Sequence, residues 1–224
     1  MTDAPDRQPP PCHCIACGRE LEALLLPRIA TAVRDVDLAT DIAAVTVCCD
    51  DLPGGDDGWL RLDPPRPPAT LPSLTIFCAP RVFVERHPGG PVSPAPPVWE
   101  PAPAPRSEEV FDPDRFSPGE TNAFLHHQLA FAADLLHGRL LPDLVPVAQA
   151  EALAAAWDVV IDGRLQRLGL PGYDQARRRA RFSRLFSSAG VLLPGHWQIF
   201  QSLWDGGLVT QADVLGAVRH LPRL

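Results

Sequence analysis

Three histidines stand on one stretch, ETNAFLHHQLAFAADLLHG (120–138), and two aspartates stand one helical turn apart on the next, EALAAAWDVVIDGRLQRLGLPG (151–172). Imidazole and carboxylate groups ligate divalent metals and move protons in acid–base catalysis. On a helix, side chains three or four positions apart share a face and can act on one ion. Asp158 and Asp162 meet that spacing, and Glu151 falls on the same face. His127 and His137 are ten residues apart, about 15 Å along a continuous helix axis. They could serve one ion only if the helix broke between them. Packed antiparallel, the second helix would present Asp158 or Asp162 to His127 or His126. Such a contact is either a residual metal site or a buried polar pair, and Arg164 or Arg139 would neutralise the acids as well as a metal.

The second set of reactive side chains is CHCIACG (12–18). The Cys14-x-x-Cys17 spacing followed by Gly18 has the form of one knuckle of a zinc site, in which thiolates approach one metal from a tight turn. A structural zinc takes four ligands, and no second CxxC follows. Cys12, Cys14 and Cys17 are the candidate ligands, with His13, Cys48, Cys49 or Cys78 to complete the set. Adjacent cysteines in a strand point to opposite faces, so Cys48 and Cys49 cannot both contribute from one strand. The other reading is six free or core thiols.

The histidine helix resembles the active-site helix of zinc metallopeptidases of the zincin class, whose extended motif is HExxHxxGxxH. His127 and His137 match its first and third metal ligands. Gln128 stands where the general-base glutamate belongs, Phe131 replaces the second histidine, and Asp134 occupies the glycine position. The preceding SLTIFC (73–78) and the following 151–172 are similar to the strand and the acidic-ligand helix of gluzincin-like members, so the resemblance covers roughly 70–172. It implies a degenerate relative. Gln128 has no proton to exchange with a metal-bound water, and Phe131 donates no ligand. The expected function is therefore a non-catalytic, zincin-like binding or scaffold module with a protein partner. One alternative is a zinc-dependent hydrolase, with His127, Asp158 or Asp162, and His126 or His137 as ligands. The other is a zinc-knuckle adaptor acting through residues 12–17.

These residues need elements to hold them. Residues 1–11 are polar and Pro-rich and read as a disordered tail. Residues 12–87 read as a small α/β part. Its helix lies within 19–34, kinked at Pro27 or starting after it, and its two short strands are 43–49 and 73–78. Residues 88–116 are a Pro-Ala linker. From 117 to 224 the signals are helical. A capping box at Ser117–Glu120 opens a helix over 118–137, and four more follow at about 145–168, 174–188, 195–205 and 210–220. The fold class is helix-rich α+β, with a C-terminal bundle of about five helices that could join 12–87 as one domain. Arg177, Arg178, Arg179, Arg181 and Arg184 read as the solvated face of the 174–188 helix, opposite Phe182, Leu185 and Phe186.

Composition excludes several classes. The 224 residues carry a net charge of −7, which argues against general affinity for the phosphate backbone. All 20 basic residues are arginine, so no Walker A lysine exists, and no GxSxG elbow occurs. No apolar run approaches the ~20 residues of a membrane span. The opening residues lack the apolar core of a secretory leader, and a cytoplasmic protein is expected.

Overall fold

In the segment SLTIFC, every second residue is apolar and faces inward: Leu74, Ile76 and Cys78 are buried in the strand Ser73–Cys78. A computed structural model describes residues 10–49, 58–67, 69–85, 111–186, 193–219 and 221. Within them the sheet holds four strands, β1 (Cys12–Ile15), β2 (Ala44–Cys49), β3 (Trp59–Asp63) and β4 (Ser73–Cys78), in the order β1-β2-β4-β3. β1, β2 and β4 run parallel, and β3 closes the edge antiparallel to β4. Parallel neighbours require a crossover. Helix α1 (Gly18–Asp35) supplies it between β1 and β2. The sheet thus has two strands beyond those expected from sequence.

Helix α1 runs through Pro27 without interruption rather than starting after it. Proline removes one backbone donor there. Thr31 Oγ1 donates to the Pro27 carbonyl at 3.0 Å, and Arg28 Nη1 donates to the Leu24 carbonyl at 2.6 Å. Between β1 and α1 the chain turns on two left-handed residues, Ala16 (φ 58°) and Gly18 (φ 69°). Pro10 is buried, and the Pro11 carbonyl accepts from the Val45 amide at 3.1 Å. The end of the expected disordered tail is therefore held by the sheet, while residues 1–9 lie outside the described residues. So do 88–110 of the expected linker; its last part holds a single 3-10 turn, Pro113–Arg115.

The remaining helices are α2 (Pro118–Leu136), α3 (Val147–Arg167), α4 (Gln175–Phe186), α5 (Pro194–Trp204) and α6 (Gln211–Arg219). The fold is helix-rich α+β. Ser117 Oγ accepts from the Glu120 amide at 3.3 Å at the start of α2, the side-chain cap that the sequence signals. The chain divides into two units, Met1–Thr31 with Ala39–Phe124, and Ala32–Leu38 with Leu125–Leu224. The sheet belongs to the first.

Helix α3 is the axis of the second unit and packs against α4, α5 and α6. From Ala155 to Gly163 every residue is buried. A helix apolar on one stripe only would leave its other side in water; α3 instead sits inside its neighbours. Trp157, Ile161 and Leu165 share one core cluster with Phe182, Phe186, Phe200, Leu203, Val214 and Val218. Gly163 sets the closest approach, since a Cβ there would strike the carbonyl oxygen of Trp204 and lie 2.9 Å from its Cα. Among the described residues no helix is long and apolar enough to cross a membrane.

Candidate functional site

His127 lies midway along α2, and Asp158 and Asp162 lie one turn apart on α3. The structure brings these three together. His127 Nδ1 is 3.1 Å from Asp162 Oδ1, and Nε2 is 3.2 Å from Asp158 Oδ1. A neutral imidazole would turn one lone pair toward a carboxylate, so a carboxylate oxygen within reach of each ring nitrogen favours the protonated ring. Burial alone would lower the pKa of His127. The charge of Asp162 and hydrogen bonds with both carboxylates outweigh burial and the nearby Arg178, and raise the pKa above the usual histidine value. Burial would likewise raise Asp158. The hydrogen bond from His127 and the charges of Arg178, His127 and Arg181 reverse that and lower it.

The fourth member is Arg178 of α4, which is 1% exposed. Its Nε donates to Asp162 Oδ2, and its Nη1 is 3.8 Å from Asp158 Oδ2. Its Nη2 lies 3.0 and 3.3 Å from the two ring nitrogens of His127, so the guanidinium sits beside the imidazole, and the two share Asp158 and Asp162. Arg181 Nη1 approaches Asp158 Oδ2 at 2.9 Å from the more open side. The Tyr173 amide adds a donor to Asp162 Oδ1 at 3.1 Å, and Arg177 and Arg178 lie over the Tyr173 ring at 3.6 and 4.6 Å from its centroid. Asp162 thus receives His127, Tyr173 and Arg178 together.

Other sequence candidates lie elsewhere. His126 faces Asp35 of α1, with Nε2 and Oδ2 2.9 Å apart. His137 is exposed just beyond the end of α2, and α2 is unbroken from His127 onward. The break that would have let His127 and His137 serve one ion is not present, and the helix between them holds them apart. Glu151 is exposed and does not join Asp158 and Asp162. Arg164 and Arg139, expected opposite those acids, instead bind Asp134. Arg164 Nη1 and Nη2 grip Asp134 Oδ1 and Oδ2 at 2.8 and 2.9 Å, Arg139 Nη1 is 3.3 Å from Oδ1, and Trp157 Nε1 donates to Oδ2 at 2.9 Å.

Arg178 is the member that sequence reasoning placed in solvent. The signal for its burial was present: Arg178, Phe182 and Phe186 recur every four residues and form one stripe of α4, all three buried.

The site does not suit zinc. Both imidazole nitrogens are directed at carboxylates, and those carboxylates already face guanidinium groups. Of the knuckle ligands, Cys14 and Cys17 lie beside each other, while Cys12 Sγ donates to the Pro10 carbonyl at 3.4 Å. Among the described residues, no group of three or more His, Cys, Asp or Glu side chains is placed to hold a metal ion.

The two shifts make stability depend on pH in a defined way. His127, raised in the folded state, contributes fully below its unfolded pKa of about 6.5 and loses that contribution as pH rises through the folded value. Asp158, lowered in the folded state, contributes above its unfolded pKa of about 3.9 and loses that contribution as pH falls. The stability advantage of wild type over His127→Gln, from urea unfolding, is expected to be full near pH ~5.5 and to shrink above about pH 6.5. An advantage that grows with pH would contradict the imidazolium. The chain matches no protein family, no curated protein and no solved structure.

Proposed function

We propose that this chain is a non-catalytic, zincin-like module that works by binding a protein partner. One observation carries the reading: the guanidinium of Arg178 takes the cationic position between Asp158 and Asp162, against His127. A hydrolytic metal centre needs those ligands turned toward one ion and a position open to water and substrate. Here His127 is 3% exposed and Asp162 is 0% exposed. The cluster is a closed set of charges whose role is to join α2, α3 and α4, which leaves the surface of the helices to do the work. A cytoplasmic setting suits this reading, since all six cysteines are free thiols.

The test is a zinc titration of the full chain with peptide-hydrolysis assays, run in parallel on wild type and His127→Ala. The expected result is no zinc-dependent hydrolysis in either protein, and thermal midpoints that zinc shifts equally in both. Zinc-dependent cleavage by wild type that disappears in His127→Ala would overturn the proposal in favour of a hydrolase.

A further inference from the structure

Four of the six thiols form a line through the first unit. Cys14 neighbours Cys17, Cys17 neighbours Cys49, and Cys49 neighbours Cys78, each near enough to perturb the titration of the next. The fold builds this line from three places. Cys14 is on β1, and left-handed Ala16 turns the chain between it and Cys17, which lies beside it. Cys17 Sγ lies 3.8 Å from the Val47 carbonyl, next to the end of β2. Cys49 and Cys78 are register partners on the parallel strands β2 and β4. Neighbouring strands lie about 4.8 Å apart, within the roughly 4.4–6.8 Å between Cα atoms that a disulfide spans. Burial grades along the line: Cys14 is half-buried, Cys17 is 8% exposed, Cys49 6% and Cys78 0%. Cys12 bonds a backbone carbonyl instead, and Cys48 faces the opposite side of β2 from Cys49.

The arrangement is a line of pairs and not a cage, which suits exchange between neighbours better than a shared metal. We propose that Cys14, Cys17, Cys49 and Cys78 form a thiol–disulfide relay, entered at Cys14 by a small-molecule disulfide and ending in a buried Cys49–Cys78 bond. In the first step the Cys14 thiolate attacks the small disulfide, forming a mixed disulfide and releasing one small thiol. Cys17 then attacks the Cys14 sulfur, closing Cys14–Cys17 and releasing the second small thiol. Two protein thiols are oxidised and one small disulfide is reduced to two thiols. Cys49 next attacks Cys17 and frees Cys14, and Cys78 attacks Cys49 and frees Cys17, with no change in oxidation state. A second small disulfide can then close Cys14–Cys17 again.

The thiol environment sets the pace and the direction. The hydrogen bond with Cys17, together with burial, raises the pKa of Cys14 well above the usual thiol value. Cys17 is lowered by its bond with Cys14, but the bond with Cys49 and burial carry it up to about 12. Thiols that hold their protons attack slowly at neutral pH. Surroundings that disfavour the thiolate also favour the disulfide once it has formed, the reverse of strongly oxidising dithiols, whose reduced form is stabilised.

The experiment equilibrates the reduced full chain with glutathione mixtures of increasing oxidised fraction, quenches with acid, alkylates, and maps the links by peptide mass spectrometry. The expected result is loss of four of the six alkylatable thiols in two pairs. Cys14–Cys17 appears at early times and Cys49–Cys78 later, while Cys12 and Cys48 stay alkylatable. In Cys17→Ala, with its fold checked by circular dichroism, Cys14 should accumulate as a mixed disulfide with glutathione and Cys49–Cys78 should fail to form. Six intact thiols at every mixture, links that use Cys12 or Cys48, or Cys49–Cys78 forming as readily in Cys17→Ala would each overturn the relay. So would one equivalent of zinc that shields the same four thiols from alkylation, which would make the line a metal site.

Discussion

Arg178→Met is expected to lower folding stability by about 3–5 kcal/mol, the usual cost of removing one partner from a buried charge group. The methionine fills much of the space of the arginine stem but leaves Asp162, 0% exposed, with one cation fewer on Oδ2. Asp158 keeps Arg181, so most of the loss falls on Asp162. Urea unfolding of the two proteins at pH ~5.5, where His127 is charged in both folded and unfolded chains, measures the effect with histidine titration held out of it. The double change Asp162→Asn with Arg178→Met should lose less than the sum of the single changes, because no uncompensated charge remains. A loss for Arg178→Met below ~1 kcal/mol, the range of exposed ion pairs, would show that the guanidinium is not what neutralises these acids.

Asp134→Ala should cost about 3 kcal/mol or more by a different route. Its carboxylate receives donors from three residues, and these do not lose equally when it is removed. Arg164 and Arg139 have side chains 25% and 54% exposed and can turn to water. Trp157 is 1% exposed, and its indole N–H would be left buried without an acceptor. An unpartnered buried donor costs about 1–3 kcal/mol, to which the loss of the bidentate arginine pair is added. Arg139→Ala, measured in the same denaturation series, should cost under ~1 kcal/mol because that pair is solvent-exposed. Equal losses for the two variants would contradict this division.

Both expectations rest on partners that lie far apart in the chain, and that is where sequence reading stopped. The helix beginning at Ser117 was legible because its cap, its first-turn proline and its acidic N3 residue are local. A contact between this helix and the next was legible only as a set of alternatives, Asp158 or Asp162 against His127 or His126, since the i, i+4 spacing says which acids share a face but not which imidazole meets them. What neutralises the acids was not legible. Three consecutive arginines look alike in sequence, and only the four-residue step from Arg178 to Phe182 and Phe186 distinguishes the one that turns inward. Arg164 was assigned to the wrong acid because Asp134 was weighed only as a substitution within a motif. Its true partners, Trp157 and Arg164, lie on the next helix. The strands β1 and β3 escaped notice for separate reasons. CHCI has the look of a ligand cluster, and WLRLD is an edge strand with an exposed Trp59 and charged Arg61 and Asp63, lacking the apolar run of a central strand.

Where α3 meets the end of α5, the contact at Gly163 is made by main chain on both sides, with the Trp204 carbonyl taking the place a side chain would fill. Arg167 donates to that same carbonyl one turn later, and the Trp204 indole donates to Gln166 at 2.7 Å. Side-chain contacts can adjust by changing rotamer, but a backbone-to-backbone contact cannot. Sliding α5 by one turn along α3 would bring its carbonyl against the Cβ of Val159 or Val160 on one side, or of Gln166 or Arg167 on the other. The crossing therefore has a single permitted register, locked by the one residue of that segment that has no side chain.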